Sequence, residues 1–517
     1  MKRHSALLLL LLVLMYPRVL HSQTALTSLR GTVTDSSGGT VAGAPVVLEN
    51  QASGLHVSRT TDSNGAYEFP QIPPGKYKIT VTSAGFGRQS KEAELLVNQP
   101  ATVNFQLSVQ SSSEVVEVSA EAQTLNLTDA SIGNSVGNST IEALPIEGRN
   151  VPDLLSLQPG VLYLGRQINP DLDSRSGAVA GARSDQSNVT LDGVDNNDQR
   201  QGYAFSGVLR STLDSVQEFR VTTTNSNAED GRSSGAQVVL VTKSGTNHFH
   251  GSAYEYNRNA ATVANDTFLK AAELSSGLPN KPGALIRNTF GGSLGGPIKK
   301  DKLFFFLNYE SQRTAENRNV TQTVPTASLR AGTVKYIDAN GNTQMLTTAN
   351  MASMDPLCKA NGSCPWGPGV DPNVLADLNK YPMPNGFSSG DGLNTASFVF
   401  SAPNPITLNT YIAKLDYVLS NNSRLFVRGI LQGDRDSGPP QFPGEPPSFS
   451  QTNTSKGFAA GYSWTIRNNL INNLRYGYIR QQLDNTGAGA SSYNDLAGIS
   501  PLTAENRTAL LAVRFTI

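Results

Sequence analysis

A chain of 517 residues has room for roughly two to four domains. Only 16% of the residues are charged, and Lys plus Arg equals Asp plus Glu at 41 each, so no net field draws the chain to nucleic acid or to an anionic surface. A hydrophobic fraction of 38%, with 47 glycines among many Ser, Thr and Asn, suits strands and long loops better than packed helices.

The N-terminus predicts export. Lys2, Arg3 and His4 precede an apolar run from Ala6 to Met15, then a break at Pro17 and small residues from Ser22 to Ala25. That is the order of a secretory signal peptide, placed here at 1–25. A membrane-spanning helix needs about 20 apolar residues, and no run in the sequence reaches that.

From 26 to 109, "LRGTVTD", "APVVLEN", "HVSRTT", "AYEF" and "YKITVTSAG" alternate with the turn clusters "SSGG", "NQASG", "DSNG" and "PPG". Short strands with such punctuation predict a small β-sandwich. The stretch "GTVTDSSGGTVAGAPVVLEN...TTDSNGAYEFPQIPPGKYKITVTSAGF" resembles the carboxypeptidase-regulatory-like domain, a transthyretin-like sandwich of the carbohydrate-binding-like group. Its single histidine, His56, reads as an exposed strand residue, so no peptidase centre is expected.

A Ser-rich linker, "QSSSE", leads into "EVVEVSAEAQTLNLTDASIGNSV" and "IEALPIEGRNVPDLLSLQPGV". Val151, Leu154, Leu155 and Leu157 predict a short helix with one apolar face, and strands are expected at Val189–Leu191, Glu218–Thr223 and Gln237–Thr242. This α/β region, 110–245, resembles the plug domain of TonB-dependent outer-membrane receptors of the Oar-like branch. The order sandwich, plug, "TKSGTN", "FHGSAYEYNRN", "NTFGGSLGGPIKKDKLFFFLNYE" carries the resemblance along more than half the chain.

The remainder, 246–517, reads as barrel wall. Hairpins are expected at Ile286–Ile298 with Lys302–Arg313, at Asn409–Leu419 with Arg424–Gly433, and at Lys456–Ile466 with Leu470–Gln482. Their turns are short, and long polar loops lie between them, the largest from about Thr314 to Leu408, as in an outer-membrane β-barrel. Tyr411, Ala413, Leu415, Tyr417 and Leu419 fall on one face, with Lys414 and Asp416 on the other. In "LFFFLNYE", Leu303, Phe305, Leu307 and Tyr309 are expected to meet lipid, while Phe304, Phe306, Asn308 and Glu310 press inward on the plug. The expected fold is therefore mainly β: an N-terminal transthyretin-like β-sandwich, an α/β plug and a partial antiparallel outer-membrane β-barrel.

No catalytic constellation emerges. "GGSLG" (Gly291 to Gly295) matches the G-x-S-x-G elbow in form, but all five histidines precede Ser293 and a hairpin follows. Its glycines are better read as room for a strand passing close to the plug. His248 and His250, two apart on one side of a strand, have no third ligand near, and are read as residues of the periplasmic rim. Asp192, Asp195 and Asp198 lack the spacing of a calcium loop and are expected to be a turn satisfied by its own side chains. No cofactor or metal is expected. The two cysteines, Cys358 and Cys364 in "CKANGSC", are read as a disulfide stapling an exported loop.

The candidate coupling segment is "EVVEV": Glu114, Val115, Val116, Glu117 and Val118. It lies where TonB-dependent receptors keep the strand that pairs with an energiser's sheet edge; the alternative is a first plug strand. The resemblance implies a non-enzymatic outer-membrane receptor, its sandwich in the periplasm. It would import a small-molecule, peptide or carbohydrate ligand with a TonB-type energiser. The rival reading is an adhesin or carbohydrate-binding module displayed on a barrel. Such barrels have about twenty-two strands. Some seven are legible here, so the chain is expected to be the N-terminal part of a longer protein or a truncated reading frame, or else an internally deleted form in which "TALLAVRFTI" imitates a closing strand.

Overall fold

The computed structural model describes residues 26–109 and most of 130–487, the longest internal gaps being 164–176, 199–206 and 357–371. The signal segment, Glu114 to Val118, Cys358, Cys364 and "TALLAVRFTI" lie outside the described residues.

The N-terminal domain is a sandwich of two four-stranded sheets. One pairs Thr27–Asp35 with Ala66–Ile72 and with the short strands Ala101–Thr102 and Phe105–Leu107; the other runs Leu55–Thr60, Pro45–Asn50, Gly75–Val81, Gln89–Leu95. Inward residues alternate along each strand, so Leu29, Val33, Val46, Leu48, Ile79, Leu95 and Phe105 form a dry core. Each such side chain contributes about 1.5–3 kcal/mol by leaving water. The "DSNG" turn closes as its residues dictate: Asp62 accepts from the N–H of Asn64 and of Ala66, and Gly65 takes φ +69°. His56 is exposed and lies 3.6 Å from Glu49, as an ordinary surface strand residue.

The middle domain holds a five-stranded sheet in the order Val194–Asp195, Asn188–Leu191, Gln237–Thr242, Val216–Thr224, Ile132–Gly137. All three strands expected from sequence are present. The expected helix is a 3-10 turn, Val151–Leu157. Val151, Leu154 and Leu155 are buried, but Leu157, the last residue of the turn, is 60% exposed.

Seven long strands make the wall, each antiparallel to the next: β1 (His250–Asn259), β2 (Leu285–Lys299), β3 (Leu303–Pro325), β4 (Thr395–Ser420), β5 (Ser423–Gln432), β6 (Lys456–Arg467) and β7 (Leu470–Arg480). The three expected hairpins are β2–β3, β4–β5 and β6–β7. Among the described residues β1 and β7 do not pair with one another, and the barrel is not closed. The loop expected from Thr314 to Leu408 is shorter than its polarity implied. β3 and β4 stay in register from Leu303 opposite Tyr417 to Pro325 opposite Thr395. Beyond the apolar band, Thr, Asn and Val keep the ladder without needing a lipid face, so the strand ends are invisible to hydrophobic patterning.

The middle domain covers one face of this wall. Ile412 and Ile430 join its core with Phe219, Val221, Val238 and Leu240. On the uncovered face Leu307, Tyr411, Leu415, Tyr417 and Leu419 are all exposed. An apolar groove of about 890 Å³ crosses that face, lined by Leu294, Leu307, Leu431, Phe458 and Tyr478, as suits contact with lipid tails. Tyr309 and Tyr411 pair there at 4.8 Å between ring centroids.

Candidate functional site

The inward face of the wall holds the functional candidates, and strand alternation puts them there. In β3, Phe304 and Phe306 are buried, followed at the same parity by Asn308, which accepts a 2.7 Å hydrogen bond from Thr212 Oγ1, and by Glu310. The expected division of "LFFFLNYE" between two faces is observed.

The deepest contact centres on Asp192. Asn188–Leu191 and Val194–Asp195 form a two-residue hairpin whose central residues, Asp192 and Gly193, take φ of +52° and +77°, as the Asp-Gly pair favours. That turn thrusts the Asp192 carboxylate into the wall. Arg428 Nε donates to Oδ2 at 3.0 Å, Lys414 Nζ stands 3.8 Å from Oδ1, and Thr242 donates from its N–H and its hydroxyl. Arg475 Nη1 reaches the Asp192 carbonyl at 3.1 Å. Lys414 and Arg428 sit directly opposite each other in the β4–β5 ladder. Two like charges in that position repel unless an anion lies between them. Burial pushes the Asp192 carboxyl up, but Lys414, Arg428 and the Thr242 hydrogen bonds outweigh it and hold the group below its ordinary range. Asp192 is therefore not satisfied by its own turn, as the sequence had implied. Asp195 is, since it accepts from the N–H of Asn197.

A second contact forms around Arg149, which takes a left-handed φ of +48°, an unusual backbone for a branched-charge residue. Its Nη2 lies 2.6 Å from Asp214 Oδ2 and 3.1 Å from Glu310 Oε2, and its guanidinium sits 4.7 Å and 4.5 Å from the ring centres of Tyr254 and Tyr256. Tyr254 donates to Glu310 at 2.7 Å, and Ser252 to Asp214 at 3.2 Å. Burial works against the charge of Arg149, but Glu310, Tyr254 and Asp214 more than offset it. A third contact joins Arg210 to Asp434 at 2.6 Å, with the Arg210 N–H donating to Gln432 Oε1. The alternation of β4 turns Lys414 away from the face of Tyr411 and Leu415, but nothing in the sequence names its partner. Arg149, Asp214 and Arg210 carried no signal of their own.

Two sequence expectations are corrected here. Gly291, Gly295 and Gly296 make room within the wall rather than for the middle domain. An added Cβ would meet Tyr254 Oη at 2.7 Å, the His250 ring at 2.7 Å and the Phe249 ring at 2.4 Å, respectively. Ser293 shares a hydrogen bond with Ser252 in the neighbouring strand. His248 and His250 do not share a strand face, because β1 begins at His250, whose Nδ1 lies 3.0 Å from the His248 carbonyl. Among the described residues no cluster of metal-ligating side chains is found.

Residues 241–517, more than half of the chain, match the outer membrane beta barrel domain family. The chain belongs to that family. Residues 28–108 match the carboxypeptidase regulatory-like domain, so the resemblance drawn from "GTVTDSSGG" onward holds. The TonB-dependent transporter Oar of Myxococcus xanthus is 29% identical over 290 residues, 54% of this chain and 26% of that protein. The chain thus spans about a quarter of that relative's length. The outer membrane transporter YddB of Escherichia coli overlays 68% of this chain and 39% of its own at 12% identity, with a TM-score of 0.40. Wild-type catechol 1,2-dioxygenase of Acinetobacter radioresistens overlays 19% of this chain and 58% of its own at 15% identity, with a TM-score of 0.15. Neither overlay carries an argument about function.

Proposed function

We propose that the chain acts as a TonB-dependent outer-membrane receptor, the middle domain serving as its plug and 1–25, 26–109, 110–245 and 246–517 as its functional divisions. One observation carries this reading: the middle domain is held to the inward face largely by discrete polar contacts at Asp192, Arg149 and Arg210. Charged contacts of this kind can exchange with water one at a time, which suits a part that must move. The short-turn side of the wall would face the periplasm with the sandwich, and the strand extensions beyond Arg313 would stand outside the cell and receive a small-molecule, peptide or carbohydrate ligand. Glu114 to Val118 would pair with a TonB-type energiser by strand addition.

Fractionation of the natural gene product tests residence; it is expected with the outer-membrane porins, and recovery as a soluble periplasmic protein would sink the reading. Coupling is tested by a photo-crosslinker at Val116 in cells. An adduct with the TonB-type protein is expected, and its loss on also replacing Val115 with proline, which removes a backbone N–H from the pairing segment. Outer-membrane residence with no such adduct would favour the rival adhesin reading.

A further inference from the structure

The sheet of the middle domain has two faces, and the second one meets the sandwich. Phe219, Val221 and Leu240 point into the core shared with the wall. Val239 and Val241 point away from it and bury Val97 of the sandwich. Val97 follows the strand Gln89–Leu95 and is fully buried although it sits outside the sandwich core. Its N–H donates to both carboxylate oxygens of Glu218, at 2.8 and 2.9 Å, and its carbonyl accepts from Arg220 Nη1 at 2.9 Å. One residue thus has its side chain, its N–H and its carbonyl all engaged by the middle domain. Burial raises the Glu218 carboxyl to about 7, against the pull of the Val97 N–H and Arg220.

The sandwich is seated on the wall as well. The Asn247 N–H donates to the Ala52 carbonyl at 2.7 Å, and a side chain at Gly54 would strike Asp301, in the β2–β3 turn, at 1.9 Å. Farther along, a void of only about 40 Å³ remains between Leu48, Leu55 and Phe69 of the sandwich and Asn421, Asn422 and Arg424 at the β4–β5 turn.

We propose that the sandwich is a lock on the middle domain, with Val97 as its bolt. The strand it grips, Val216–Thr224, is paired along its other edge with Ile132–Gly137, the first described strand after the segment that joins the two domains. A pull on that joining segment loads the ladder between these two strands. Val97 holds the strand behind the ladder, and the sandwich holds Val97 against the wall. The middle domain therefore cannot rearrange until the sandwich lets go. The existence of the lock follows from these contacts; its consequence for uptake rests on the receptor reading above.

The test places a reporter thiol in the full chain with Val239→Cys and follows its maleimide labelling in outer-membrane vesicles, with the chain lacking the reporter as the background for Cys358 and Cys364. Val97→Asp and, independently, Glu218→Ala with Arg220→Ala should each speed labelling by about tenfold or more. The first buries a second carboxylate beside Glu218, and the second removes the charged partners of the Val97 N–H and carbonyl. Hydrogen exchange of the same samples should show faster exchange in Val216–Thr224 and unchanged protection at Leu29, Val46 and Ile79. The two variants alter different domains, so misfolding of one leaves the other to decide. Rapid labelling in the reporter chain itself, rates in both variants no faster than in the reporter chain, or faster labelling without faster exchange in Val216–Thr224 would each overturn the lock. None of these readouts depends on an energiser or a ligand, so failure of the receptor reading would leave them unchanged.

Discussion

Replacing Asp192 with alanine should free the middle domain from the wall more effectively than any other single truncation. The change leaves Lys414 and Arg428 opposite one another, buried, with no anion between them. Removing one partner of a buried ion pair costs about 3–5 kcal/mol, most of it the penalty of the charge left behind. Limited proteolysis in detergent should therefore cut the middle domain of Asp192→Ala while the sandwich survives, because the sandwich has its own core. Asp192→Asn keeps the shape and the Thr242 hydrogen bonds but not the charge, and should fall nearly as far. The triple change Asp192→Leu, Lys414→Met, Arg428→Leu is the control. By replacing the whole set with apolar groups it should restore protease resistance, since a dry contact can equal an ionic one in stability. Equal resistance of Asp192→Ala and the parent would show that the contact is ornamental. The pH dependence has a definite sign. A carboxyl held below its ordinary 3.8 adds stability that is complete above that value and is lost as pH falls through the depressed one. Acid release of the middle domain is thus expected only below the ordinary carboxylate range.

The second large effect belongs to Arg149. Arg149→Ala strands two carboxylates, Asp214 and Glu310, and unstacks the guanidinium from Tyr254 and Tyr256. All three charged side chains keep some water contact, at 13%, 12% and 9% exposure, so the expected cost is about 2–3 kcal/mol, less than for a fully dry pair. Arg149→Lys keeps the charge but loses the two-pronged donor and much of the stacking, and should recover no more than about half of the loss. Glu310→Gln in the Arg149→Ala background should be milder than the sum of the two single changes, because the neutral amide no longer suffers from the missing cation. Urea unfolding of the four variants closes the cycle. Additive losses would mean that Arg149 and Glu310 do not sense each other.

These expectations rest on features of unequal legibility. Strand alternation was readable residue by residue. "LFFFLNYE" assigned Phe304 and Phe306 inward and Leu307 outward, and "TYIAKLDYVL" set Lys414 against Tyr411 and Leu415, because a period of two survives any tertiary arrangement. The hairpins were readable because short polar turns interrupt apolar alternation, and the sandwich because its turns use Asp, Asn and Gly in fixed roles. The Asp192–Gly193 pair even carries the signature of the turn it makes.

What the chain alone did not determine is which charge answers which. Arg428 stands 236 positions from Asp192, and Glu310 161 from Arg149. Such pairs are selected by docking one sheet on another, and nothing local to either residue encodes the partner. The same holds for Val97, whose apolar side chain suits any core; only the docked domains make it a contact between them. The 3-10 turn at Val151–Leu157 and the β3–β4 extension past Arg313 were decided by packing and by a neighbouring ladder, which override weak local preference. The strand-rich domains and the two-faced wall were thus properties of the sequence itself. The contacts that hold its parts together appear only once long-range neighbours are in place, because burial and charge pairing are relations between distant residues.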